Sequence, residues 1–342
     1  MLTTATATQV VSSQASVDEW LYLLCCLGRA PATVTAYRRC LTHYLAYCRA
    51  SRVAPEGATL ENVSLYIRTL LPGSATSIAN SSLHQRLTAI RLWYDHLVYQ
   101  RICEKNQVLR GRHSVSSHPV AHDGFARGLV QRLVKLPHIP NDEEWNALLR
   151  VAATSSVRNR LMLALGYYGA LRRSELLSLR ISDLDLAHRL ISLRAEVTKG
   201  KRARIVGYSA TISLVLSSHL TSMRSLDRLP GPLFRSESDR NVGAPLSIWS
   251  WSKIVRSWSI EAGVANFSTH SLRHLRLTHL ARSGWKLHEL TAYAGHRDPK
   301  TTMTYLHLSG GDLAARMAGA VAHIDSRVNA ALFQKGLVSH GS

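Results

Sequence analysis

The chain has 342 residues, with 42 Lys plus Arg against 22 Asp plus Glu, a formal charge of +20. That length suits two domains rather than one small core, and a hydrophobic content of 46% excludes a wholly disordered chain. No apolar run reaches membrane-spanning length, and the start MLTTATATQVVSSQAS lacks the charged opening and apolar block of a signal peptide, so a soluble, intracellular, cytoplasmic protein is expected.

A surplus of this size, carried by Arg more than Lys, points to a polyanionic partner, most simply nucleic acid. The five cysteines, Cys25, Cys26, Cys40, Cys48 and Cys103, have no CxxC spacing, which argues against a disulfide framework and a structural zinc site. No HExxH pair occurs among the histidines, so no metal is expected.

In chain order, residues 1–15 read as a disordered N-terminus and 16–110 as a helical domain. Val17, Trp20, Leu21 and Leu24 begin one apolar stripe; Val34, Tyr37, Leu41, Tyr44, Leu45 and Cys48 form a longer one; Leu60, Val63, Ile67 and Leu70 form a third. A fourth helix opens at Ser82 and Gln85, spaced as a capping box, and continues through Leu83, Leu87, Ile90, Tyr94 and Leu97. Arg38, Arg39, Arg86 and Arg91 lie off the stripes and are candidates for contact with phosphate, with plain solvation as the competing role. Residues 111–140, rich in Gly, Pro, Ser and basic side chains, read as a basic interdomain linker with room for a short helix near Gly128–Lys135.

Periodicity restarts at Asn141, an N-cap with Glu144 three residues on. Helices are predicted at 141–152 and 156–168, then a short one after Gly169. The only convincing β signal is Arg189–Arg194 and Arg202–Tyr208, joined through Thr198-Lys199-Gly200-Lys201. Helices resume near 210–227, 247–262, 270–283, 286–295 and 299–308. The fold class is therefore mainly α, a helical N-terminal domain followed by a mixed α/β domain with a small antiparallel sheet.

Three segments of the second half carry chemistry. Arg172 and Glu175, three residues apart, can share a helix face and present a guanidinium held by a carboxylate. His270 and Arg273 stand one helical turn apart in THSLRH. Gly295-His296 precedes Pro299, which suits a helix's first turn, and Tyr305 lies further along that helix. Each piece alone is common.

In this order, Arg, then His-x-x-Arg, then Gly-His with a later Tyr resembles the signature of the tyrosine recombinases, or phage integrases, especially their two-domain Cre and Xer types. The resemblance covers 141–308 closely and the N-terminal helices loosely. It implies a core-binding DNA-binding domain at 16–110, a catalytic domain at 141–308 and a C-terminal helical tail at 309–342 that exchanges between subunits. Arg172 would be the first catalytic Arg with Glu175 as its supporting acid, Lys199 the β-hairpin lysine, His270 and Arg273 the His-x-x-Arg pair, His296 the third-box His and Tyr305 the nucleophile. Lys201 rivals Lys199; the Lys-Gly order of the turn favours Lys199. Lys201 and Arg202 are further DNA-contact candidates. Leu275 and Arg276 replace the Thr and aromatic residue common after the second box, and Gly207-Tyr208 stands where many members have Val-Pro-Leu.

The implied activity is metal- and ATP-independent site-specific recombination without a cofactor, through a 3′-phosphotyrosine and a Holliday junction. The implied partners are double-stranded DNA with inverted-repeat arms, clamped between the two domains, and three further copies of the chain in a homotetramer. A type IB topoisomerase, a telomere resolvase and a non-catalytic DNA-binding accessory protein are the alternatives. In the tail, Ser309-Gly310-Gly311 is followed by an apolar stripe at Leu313, Met317, Val321, Ile324, Val328 and Leu332, which suits docking either on the chain's own domain or on a neighbouring subunit.

Overall fold

The structure, a computed structural model, describes residues 2–108, 129–133, 137–225 and 231–308. The chain divides into two compact units, Met1–Lys135 and Leu136–Ser342.

The first unit holds α1 (Leu2–Cys26), α2 (Pro31–Ala50), α3 (Leu60–Leu70) and α4 (Asn80–Tyr99). Pro31 occupies the first turn of α2, where its missing N–H costs nothing. Thr59 caps α3 reciprocally with Asn62. The predicted stripes meet in one core around Trp20, Leu41, Tyr44, Ile67, Trp93 and Tyr94. Three expectations need correction. Helix α1 begins at Leu2, inside the expected disordered segment 1–15. That stretch contains neither Gly nor Pro, and buried Ser13 donates its hydroxyl to Glu56, so docking overrides the weak helix propensity of Thr and Ser. Helix α4 begins at Asn80 with Ala79 as its cap, so Ser82 and Gln85 lie within the helix and form no capping box. The Asn80 amide is engaged elsewhere: it donates to Gln131 O at 3.0 Å and accepts from Leu133 N–H at 3.0 Å. Residues 129–133 are irregular, so the short helix expected near Gly128–Lys135 is absent from them. Leu129 and Val130 instead pack on the helical core. Residues 111–128 of the expected linker and the tail 309–342 lie outside the described residues.

The second unit opens with α5 (Asp142–Ala153), capped by Asn141 and Glu144 as predicted, then α6 (Val157–Tyr168) and α7 (Arg173–Leu177). A three-stranded antiparallel sheet follows in the order β1 (Leu184–Asp185), β2 (Leu190–Leu193), β3 (Arg204–Gly207). Strand β1 is additional to the predicted hairpin; two residues are too few to show an alternating pattern. Leu193 faces Arg204 and Ile191 faces Val206 across the hairpin. The remaining helices are α8 (Ala210–Ser225), α9 (Ile248–Glu261), α10 (Thr269–Arg282), α11 (Leu287–Ala294) and α12 (Pro299–Leu308). Helix α10 runs through the centre, packed on α6, α9, α11 and α12. Among the described residues no helix is long and apolar enough to cross a membrane.

Candidate active site

Arg172 and Arg273 are delivered by different parts of the second unit and held by main-chain carbonyls. Helix α6 ends at Gly169, where a Cβ would meet the Leu171 side chain at 2.9 Å. Ala170 then takes a left-handed conformation, φ 46°, and the chain re-enters a helix just after Arg172. Arg273 lies on α10, fully buried, and donates to Ala170 O at 2.7 Å and to Ala294 O at 2.6 Å. Burial lowers its pKa to about 9, which leaves the guanidinium charged at neutral pH. Arg172 donates to Gly295 O at 3.2 Å and to the Glu175 carboxylate at 2.7 Å, while its backbone N–H donates to the other Glu175 oxygen at 2.8 Å.

Glu175 is fully buried and serves a second cation that sequence reading missed. Arg204, on β3, donates to both Glu175 oxygens, at 3.1 and 2.8 Å, and its Nε–H donates to Tyr293 O at 3.0 Å. Burial alone would raise the Glu175 carboxyl; the bonds and charge of Arg204, joined by those of Arg172, bring it down to about 2. The carboxylate is thus ionised and shared between two guanidiniums. An Arg204→Met protein keeps the stem but leaves that carboxylate half-satisfied. It is expected to lose on the order of 3 kcal/mol of stability in a urea titration, with Arg204→Lys recovering part of it.

The turn after α11 ties these groups together. Gly295 caps the helix at φ 62°, and a Cβ there would stand 3.0 to 3.3 Å from the Arg204 guanidinium. Three successive carbonyls, of Tyr293, Ala294 and Gly295, accept from Arg204, Arg273 and Arg172. His296 follows, its Nδ1 2.8 Å from Thr302 Oγ1.

Tyr305 is buried beside this cluster. Its ring lies parallel to that of His296, 5° between planes and 6.0 Å between centroids, and 5.4 Å from His274, which stands 4.4 Å from His270. Burial raises the Tyr305 pKa, with Arg273 and Arg172 pulling the other way, so the hydroxyl is protonated at neutral pH. The imidazoles move downward: His296 to about 3 and His274 to about 4, each by burial and then neighbouring charge. His270 is lowered by desolvation, then by Arg273, Arg172 and Lys199. All three rings are neutral at pH 7.

The structure therefore gathers Arg172, Glu175, His270, Arg273, His296 and Tyr305. Lys199, Lys201 and Arg202 are exposed on the segment between β2 and β3. Buried Thr198 fixes its base: the Thr198 hydroxyl oxygen accepts from Arg202 N–H at 3.0 Å, and Thr198 O accepts from Lys201 N–H at 3.2 Å. Arg276, one of the departures from the family pattern, lies over the Tyr167 and Tyr168 rings at 5.3 and 5.2 Å. In the first unit Arg39 is exposed, Arg38 is exposed but paired with Asp18, and Arg86 and Arg91 are half-buried. A different stripe escaped the sequence reading: α9 presents Trp249, Lys253, Arg256 and Ile260 to solvent on one helical face. The Arg173 guanidinium lies 5.7 Å over the Trp249 ring. The signal was present, since buried Trp251, Val255 and Trp258 alternate with that stripe.

Comparison with known proteins adds a family to this geometry. The profile of the phage integrase family matches residues 141–310. Tyrosine recombinase XerD of Oceanobacillus iheyensis is 29% identical over 293 residues, covering 82% of this chain and 89% of its own. Tyrosine recombinase XerC of Pelobacter propionicus is 29% identical over 284 residues, covering 82% and 86%. The fold is shared with the XerH site-specific recombinase, whose crystal structure was solved on a palindromic difH substrate; the TM-score is 0.63 at 18% identity, covering 83% of this chain and 79% of that one.

Proposed function

We propose that this chain is a tyrosine recombinase of the phage integrase family, and that it cleaves and rejoins specific DNA sites through a 3′-phosphotyrosine, as a tetramer on two inverted-repeat duplexes. The observation that carries this reading is the placement of a buried tyrosine beside two guanidiniums fixed by main-chain carbonyls. Arg172 and Arg273 would hold the non-bridging oxygens of the scissile phosphate and stabilise the charge of the in-line transition state. Because both are tethered before DNA arrives, little reorganisation accompanies the reaction.

The Tyr305 oxygen attacks phosphorus and forms a new O–P bond while the 5′-oxygen departs. Neutral His270 accepts the tyrosine proton, and Lys199 supplies one to the departing oxygen. His296 donates a hydrogen bond to the phosphate. The phosphotyrosine stores the phosphodiester energy, so a 5′-hydroxyl from a partner strand can reverse the step; two such exchanges make and resolve a Holliday junction. Support for duplex DNA as the partner comes from the +20 charge and from the exposed Trp249, Lys253 and Arg256 face of α9.

The test is to incubate the protein with a library of nicked duplexes, recover denaturant-resistant adducts and sequence them. Inverted-repeat arms flanking a fixed cleavage spacing, with 3′-linked protein and free 5′-hydroxyl ends, are expected. Binding without adducts would make the chain an accessory protein. Adducts that relax supercoils but never join two duplexes would make it a topoisomerase.

A further inference from the structure

Two hydroxyls behind His296 take no part in the scheme above. Thr302 lies on α12, one helical turn before Tyr305, and is fully buried. Its Oγ1 stands 2.8 Å from His296 Nδ1 and accepts at 3.0 Å from the hydroxyl of Thr291 on α11. The Thr291 oxygen is also 2.6 Å from Leu287 O, one turn back in its own helix, so its hydrogen is shared between two acceptors. All three groups lie in the second unit, and the chain of contacts ends at a ring that faces the tyrosine.

The direction of the hydrogens matters. A threonine hydroxyl has one hydrogen to give and can accept from others. With Thr291 donating to it, Thr302 has its own hydrogen free for Nδ1. An imidazole that accepts at Nδ1 carries its hydrogen at Nε2. With its pKa near 3 the His296 ring is neutral, so the tautomer alone decides what Nε2 offers. In the opposite arrangement Nδ1–H would donate to Thr302, and Nε2 would turn a bare lone pair toward the phosphate anion, which repels.

We propose that Thr302, backed by Thr291, is a positioning residue that holds His296 as the Nε2–H tautomer, making the ring a hydrogen-bond donor to the scissile phosphate. Because Thr302 and Tyr305 ride on the same helix, the contact that fixes the donor forms only when the helix that brings the nucleophile is docked. The inference rests on the proposed role of His296, and the variants below separate the two.

Full-length protein labelled with nitrogen-15 at histidine, with His296 assigned by difference from His296→Gln, is examined by long-range proton–nitrogen correlation NMR. Wild type and Thr302→Ser are expected to show the Nε2–H pattern; Thr302→Val is expected to lose it. In single-turnover cleavage of a nicked duplex, Thr302→Val should be slower by about tenfold or more with DNA affinity unchanged, and Thr302→Ser should recover most of that loss. A purely structural Thr302 would leave the tautomer untouched in the Val variant. An Nδ1–H pattern in wild type, or a Thr302→Val protein that cleaves at the wild-type rate while His296→Gln is slow, overturns the relay. If His296→Gln also cleaves normally, the role of His296 falls and the relay with it. The wild-type spectrum decides the question even if Thr302→Val fails to fold.

Discussion

A Tyr305→Phe protein is expected to bind its DNA site within about twofold of wild type while losing at least about 10⁴-fold in covalent adduct formation. The substitution removes one oxygen from a buried ring and leaves the stacking on His296 in place. Its cost to folding is on the order of 1 kcal/mol, so the protein should remain native. Affinity rests on phosphate contacts made elsewhere, whereas the phosphorus has no other oxygen of comparable position to accept. The measurement is a denaturing gel of protein trapped on nicked DNA, paired with a native binding titration. An adduct from the Phe protein would show that another residue is the nucleophile.

The second large effect concerns the exposed segment between β2 and β3. Lys199→Ala is expected to slow cleavage of ordinary DNA by about 10²- to 10⁴-fold, the range typical for loss of a positioned proton donor. A 5′-bridging phosphorothiolate leaves as a stable thiolate and requires no proton, so the same variant should cleave that substrate within about tenfold of wild type. Arg172→Ala, which removes charge stabilisation rather than a proton, should be rescued far less. The charge of Lys199 is felt at His270, which favours it over Lys201 two residues on. Rescue of Lys201→Ala with no rescue of Lys199→Ala would move the assignment.

The reach of the sequence follows from how far apart the interacting groups are along the chain. Stripes such as Leu83, Leu87, Ile90, Tyr94 and Leu97 are local, and the core they predict is the core that forms. The three motifs were legible because they stand in one order along the chain, Arg172 with Glu175, then His270 with Arg273, then His296 with Tyr305, although only the fold brings Arg172 and Arg273 to successive carbonyls of one turn. Arg204 was not legible. In Arg204-Ile205-Val206 the alternation puts Arg204 on the side of buried Val206 and leaves Ile205 out, but a sequence cannot say which of two adjacent β-branched residues faces inward. An arginine at an inward position reads as misplaced until Glu175 is seen beneath it. The capping box at Ser82 failed for a related reason. A local pattern is satisfied only if nothing distant competes, and here residues 131–133 claim Asn80 and set the helix start one turn earlier.

The turn at 293–296 has a consequence for how this chain can change. Arg204, Arg273 and Arg172 are moored to oxygens of the peptide backbone, which every amino acid possesses. Substitution at Tyr293 or Ala294 alters packing but cannot delete the acceptor, so the anchorage is insulated from most point mutations. Gly295 is the position held by identity, because its left-handed φ strains any residue with a Cβ and that Cβ would crowd Arg204 at 3.0 Å. What the arrangement does not tolerate is a change of length. Losing or gaining one residue between Ala294 and His296 would shift the carbonyls out of step with the histidine, separating the ring from the cations it serves. In this segment the spacing of residues is under tighter constraint than their chemistry.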